Sequence, residues 1–193
     1  MPLEDTQNSR LLSCLHELLE AHRPVFTRVQ TYGRCVCLVL GSLYAFGRKT
    51  VSQLISAIGA VKEDWSAWYR FMSEGRFEYD ELVGCLFKQT LTHVRANEYY
   101  VTAMDATHIH RCSTTMPGTF NGKGHGTTPY KPGVSRQQRF ENLCWLPRLE
   151  DGYSRALPLR MILAAPPKAV PAEEPPLREW QAGLDCLKWT RTQ

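Results

Sequence analysis

At Tyr99 the texture of the chain changes, from apolar side chains at helix spacing to a β-branched and aromatic run. A chain that changes in this way builds helices first and a sheet afterwards. Residues 10–22 place Leu11, Leu12, Leu15, Leu18 and Leu19 at helix spacing, and Pro24 stops that run. Residues 34–46 are apolar on most sides and read as a buried helix ended by Gly47. Residues 50–58 carry Val51, Leu54, Ile55 and Ile58 on one face, with Thr50 as N-cap and Gly59 as terminator. Asp64 caps a further helix bearing Trp65, Trp68, Tyr69 and Met72, which ends near Gly75. A last one over residues 79–95 turns Leu82, Leu86, Thr90 and Val94 to a core.

Beyond Tyr99, the segment Tyr99-Tyr100-Val101-Thr102-Ala103-Met104-Asp105 is β-branched and aromatic, and predicts a strand running to about Arg111. Residues 113–138 are rich in Gly, Pro, Thr and Ser without apolar periodicity, which predicts a long irregular loop. Strand patterns return over 140–149 and 155–164, separated by the turn pair Asp151-Gly152, and read as an antiparallel hairpin. Five prolines within residues 165–176 mark a linker, and residues 177–189 form an amphipathic helix with Leu177, Trp180, Leu184 and Leu187 on one side. The fold class expected is α+β, with a helical region over residues 1–97 and a mixed region over 98–193.

Charge is distributed unevenly along the 193 residues, although the net value is only +4. Residues 21–62 hold six basic side chains and no acid, and residues 107–168 hold nine against three acids. Two basic segments point to a polyanionic partner, and solvated faces are the alternative. Seven cysteines, an odd number with no CxxC pair, read as reduced thiols. The polar, acidic start resembles no secretory leader, and the longest apolar run, residues 35–40, is far too short for a bilayer. No membrane association is expected, and the location expected is cytoplasmic, at the nucleoid.

Asp105 is the residue most out of place. Acids are depleted in strands, and a carboxylate projecting from a central strand is costly unless a cation or metal pairs with it. Period-two alternation puts Asp105, Thr107, Ile109 and Arg111 on one face, and His108, His110 and Cys112 on the other. An exposed edge strand, or a simple Asp–Arg pair, is the competing account. The second face offers three zinc-ligand types, but neighbours on one strand face rarely converge on a tetrahedral ion without a ligand from elsewhere.

Other candidates lie in the basic segments. Arg48, Lys49, Thr50 and Gln53 open a short helix after a glycine turn and could face phosphate or base edges in a helix-turn-helix-like arrangement. The segment Asn121-Gly122-Lys123-Gly124-His125-Gly126 lacks P-loop spacing and reads better as a basic loop carrying Lys123 near DNA. Arg136 and Arg139 are candidate backbone clamps. Ordinary capped helices and surface arginines would account for the same residues.

The chain resembles the DDE transposases of bacterial insertion sequences, the DDE superfamily endonucleases, over roughly residues 25–190. The residues that carry the resemblance are Trp65-Ser66-Ala67-Trp68-Tyr69-Arg70-Phe71-Met72-Ser73, Met104-Asp105-Ala106-Thr107, the block Pro132 to Phe140 leading into Cys144-Trp145, and Leu157-Pro158-Leu159-Arg160. The resemblance implies an RNase H-like catalytic domain, of which residues 98–193 would supply the first three antiparallel strands and first helix. It implies Mg²⁺ held by three carboxylates, with Asp105 as the first, and DNA partners in the form of element terminal repeats and target DNA.

No other acid suits the second or third ligand position. Asp185 is inside a helix, Glu150 and Asp151 sit in the hairpin turn, and Glu173 and Glu174 lie among prolines. One carboxylate binds Mg²⁺ poorly, so the expectation is a transposase fragment inactive alone, or a non-catalytic DNA-binding regulator of transposition. A sheet incomplete at the Asp105 strand would expose an edge, which predicts self-association into a homo-oligomer.

Overall fold

The computed structural model describes residues 3–113, 115–123, 133–148, 155–170 and 177–193. The architecture is α+β, six α-helices and four strands among the described residues, and the chain divides into two compact units, Met1–Gln89 and Thr90–Gln193.

The first unit contains α1 (Leu3–Ala21), α2 (Val29–Tyr44), α3 (Val51–Ala57), α4 (Trp65–Ser73) and most of α5 (Tyr79–Leu91). Two of the expected caps form. The Thr50 hydroxyl accepts from the Gln53 amide at 3.4 Å, and the Asp64 carboxylate accepts from the Ser66 amide at 2.9 Å. Ile55, Trp68, Phe71, Phe26 and Leu38 form the buried centre of the unit. The helix expected to be buried, α2, is not: only Thr31, Leu38 and Gly41 are buried, while Leu43 and Tyr44 stay largely exposed. Its apolar residues surround the axis: α3 and α4 pack on one side, while Tyr32, Cys35, Val36 and Val39 line a groove with α1 and α5 that leaves them only half-buried. Gly41 is the point of closest approach, since a β-carbon there would sit 2.8 Å from the Leu54 carbonyl of α3.

The second unit is a sheet of β1 (Thr102–His110), β2 (Phe120–Lys123), β3 (Val134–Trp145) and β4 (Leu157–Ala164), followed by α6 (Glu179–Thr192). β3 is the hub. It pairs antiparallel with β1 along one edge, and with β2 and then β4 along the other. β2 corrects the expected long loop, and β3 starts six residues earlier than the strand pattern suggested. β2 is held by backbone pairing to β3 rather than by an apolar stripe. Its Gly122 lies over Gln137, where a β-carbon would clash with the carboxamide nitrogen. The Asp151-Gly152 turn between β3 and β4 lies outside the described residues.

α6 covers one face of β3 and β4, and it does so with the side opposite to the expected one. Ala182, Gly183, Cys186 and Trp189 are buried, whereas Trp180, Leu184 and Leu187 remain 61%, 44% and 41% exposed. Small residues let the helix approach the sheet closely, and the Arg160 guanidinium stacks 5.0 Å above the Trp189 ring. Leu143, on β3 and fully buried, is central to this layer. Leu143→Ala is expected to lower unfolding stability by about 2–5 kcal/mol, readable as a shift in the urea midpoint at unchanged slope.

Candidate active site

β1 presents Asp105 on the sheet face turned away from α6. The register pairs Asp105 with Asn142 and Thr107 with Phe140, so these side chains share a face. The Asn142 amide donates to the Thr107 hydroxyl, while the Asn142 carbonyl oxygen is buried without a partner. Farther along, the turn before β2 covers this face: the Gln138 amide donates to the Pro117 carbonyl at 2.8 Å, and Gly118 packs on Leu163. Around Asp105 the face is open, and both Asp105 and Met161 are exposed. The nearby Cys144 thiol is pushed above its ordinary range by burial first and by the Asp105 charge second.

The Asp105 carboxylate turns back on its own strand. Its Oδ1 accepts from the Ala106 amide at 2.9 Å. Backbone bonds from Arg111 to Arg136 and from Leu146 to Val101 fix the ladder so that odd-numbered β1 residues bond to β3. The even-numbered residues, including Ala106, point their backbone groups to the open edge. Asp105 thus occupies one of the outward N–H groups of that edge.

A second carboxylate, missed by the sequence reading, lies on the opposite face. Glu141 of β3 is only 7% exposed and one of its oxygens has no hydrogen-bond partner. Burial pushes its carboxyl above the ordinary glutamate range, helped by the charges of Glu179 and Asp105 and opposed by Arg139. Met104, Glu179, Trp180, Gly183, Leu184 and Leu187 complete a groove above it. An acid in the middle of a strand was the available signal, as it was for Asp105.

The arginines expected to clamp DNA point to opposite faces. Arg136 donates to the Thr119 hydroxyl at 3.0 Å. Arg139 pairs with Glu179 of α6 and lies 5.3 Å over the Phe120 ring, which ties β2, β3 and α6 together. Arg48, Lys49, Thr50 and Gln53 are exposed at the start of α3, and the Thr50 hydroxyl is shared with Ser52 at 3.1 Å. The Lys123 side chain, and residues 124–126 of its loop, lie outside the described residues, as do Glu150, Asp151, Glu173 and Glu174. Asp185 is 3.8 Å from Lys188 on α6.

The family model for DDE superfamily endonucleases matches residues 17–177, most of the chain and both structural units. The chain belongs to this family. No match was found among curated proteins or among solved structures. The endonucleases of this family act on DNA and generally use divalent metal. Among the described residues no three His, Cys, Asp or Glu side chains are grouped to hold a metal ion. Asp105 with Asn142 and Thr107 supplies one carboxylate and two neutral oxygens, which does not fit a two-metal centre by itself. No described helix is long and apolar enough to cross a membrane.

Because burial favours protonated Glu141, the folded chain binds that proton more tightly than the unfolded chain does. The resulting stabilisation is complete below the ordinary glutamate value and is lost as pH rises through the raised one. Glu141→Gln is therefore expected to raise the melting temperature at about pH 7 and to change it little near about pH 4. Thermal melts of the two proteins across that range test this.

Proposed function

We propose that this DDE endonuclease acts in DNA transposition, as in bacterial insertion sequences, with Asp105 as the first metal-ligating carboxylate of an RNase H-like domain. The family match carries the reading, because it runs through Asp105 in the middle of β1. The antiparallel order β1–β3–β4 followed by a helix suits the opening of that fold. In this reading residues 1–97 form the DNA-binding region, and residues 98–193 supply the opening strands and first helix of the catalytic domain. DNA in the form of terminal repeats and target would be held through Arg48, Lys49, Thr50 and Gln53, with Lys123, Arg136 and Arg139 nearer the sheet. Mg²⁺ is the metal proposed, and the further carboxylates it needs are not grouped with Asp105 among the described residues.

That last observation favours a second reading beside the first: a DNA-binding role without strand cleavage, in which the chain occupies element ends and regulates transposition. Both readings place basic side chains on phosphate, so affinity should fall linearly in logarithm as salt rises.

Purified chain incubated with supercoiled plasmid and Mg²⁺ is expected to give no nicking. Nicking that disappears in Asp105→Ala would show a complete centre and overturn this expectation. In fluorescence anisotropy with duplex DNA, the double change Arg48→Ala and Lys49→Ala is expected to weaken binding and to reduce the salt slope by about 1–2. Binding that ignores salt would remove DNA as the partner of this region.

A further inference from the structure

Among the described residues the most exposed large apolar side chain is Phe46, at 97%. It stands between α2 and α3, in a connection that is tied at both ends. The Ala45 amide bonds to the Gly41 carbonyl at 2.8 Å to close α2. The Thr50 amide bonds to the Arg48 carbonyl at 3.0 Å, and the Thr50 hydroxyl then caps α3. Between them Gly47 holds φ at +97°, a left-handed conformation that a residue with a side chain adopts only at a cost. Phe46 is therefore presented by a braced turn. A lone exposed apolar residue is ordinary on a protein surface. Here the apolar surface continues, because Leu43 and Tyr44 at the end of α2 are 62% and 64% exposed.

The charge around this ring selects the partner. Residues 21–62 hold six basic side chains and no acid, and Arg48 and Lys49, two and three positions beyond Phe46, are both exposed. Extended backbone advances at most about 3.6 Å per residue, so both cations start within about 11 Å of Phe46. Neighbouring nucleotides on one DNA strand are separated by a rise of about 3.4 Å. A base step that admits the ring therefore has the phosphates of the next few nucleotides within reach of Arg48 and Lys49. Apolar side chains that enter base steps are a recurring means of deforming a duplex. A purely apolar protein surface would leave both cations without a counter-charge, and a simple polyanion offers the ring nothing. DNA supplies flat apolar rings and closely spaced anions together.

We propose that Phe46 is an apolar wedge that enters a base step of duplex DNA, with Arg48 and Lys49 on the flanking phosphates. The inference rests on the reading of residues 1–97 as the DNA-binding region, and adds what that region does to the DNA: it opens one step of the stack. A division of labour follows from the chemistry. The two cations supply the salt-dependent share of the affinity, and the ring supplies a contact that salt does not screen. Unstacking costs least where a base pair is already mismatched, so the wedge favours a duplex containing a mismatch over the intact one. All the residues involved lie within the helical unit, and Asp105 and its metal play no part.

Fluorescence anisotropy of the full chain with intact and singly mismatched duplexes of otherwise equal sequence tests this. The wild-type chain is expected to bind the mismatched duplex about threefold or more tightly than the intact one. Phe46→Ala is expected to weaken binding to the mismatched duplex by about fivefold or more and to abolish the preference. It should leave the salt slope and the melting temperature unchanged, since it removes no charge and no buried contact. Phe46→Trp is expected to keep the preference, because a flat aromatic ring can still enter the step. Salt-dependent binding without a mismatch preference, or a preference that survives Phe46→Ala, overturns the wedge and leaves the DNA-binding reading standing. Equal loss of affinity for both duplexes in Phe46→Ala also overturns it, and makes the ring a groove contact. A chain that binds neither duplex overturns the wedge and the DNA-binding reading together.

Discussion

Every strand in the second unit hydrogen-bonds to β3, and to no other strand among the described residues. This one dependence arranges the rest. Because β3 accepts β1 on one side and β2 and β4 on the other, its alternating side chains divide the unit into two chemistries. Leu143, Glu141 and Arg139 point to α6, and Asn142 with Gln138 points to the opposite side. Asp105 belongs to the second side only because β1 is paired in the register that sets it against Asn142. A slip of one residue would move it under α6, beside Glu141, where a third carboxylate would be strongly disfavoured.

The layer between β3 and α6 is unusually polar for a buried seam. Arg139 is neutralised by Glu179 and stacked on Phe120, and Arg160 lies over Trp189. Glu141 is left with an unpartnered oxygen, and its proton affinity is raised accordingly. The small side chains of Ala182 and Gly183 let α6 sit low enough for these arginines to reach it, and the same placement turns Trp180, Leu184 and Leu187 outward. The groove beside β1 follows from that choice of helix face.

Much of this was legible in the residues. The change of texture at Tyr99, the N-caps at Thr50 and Asp64, and an aspartate in mid-strand are local signals, and local physics settles them. β2 was not legible because four residues containing Asn121 and Gly122 have no apolar alternation, and they pair through the backbone alone. α2 was misjudged for the opposite reason. Its residues are apolar all round, but composition cannot say how many neighbours a helix will receive. Leu184 and Leu187 predicted the wrong buried face of α6, since close packing on a sheet favoured small residues over large ones.

The sequence by itself determined the α+β class, the strand that bears Asp105 and the resemblance that the family match supports, because all three rest on residue order and short-range spacing. Tertiary structure alone decided which groups meet: Asp105 with the Ala106 amide, Asn142 with Thr107, and Arg139 with Glu179 from forty residues away. Pairing register and helix depth set those meetings, and both are properties of the packed chain rather than of any segment in it.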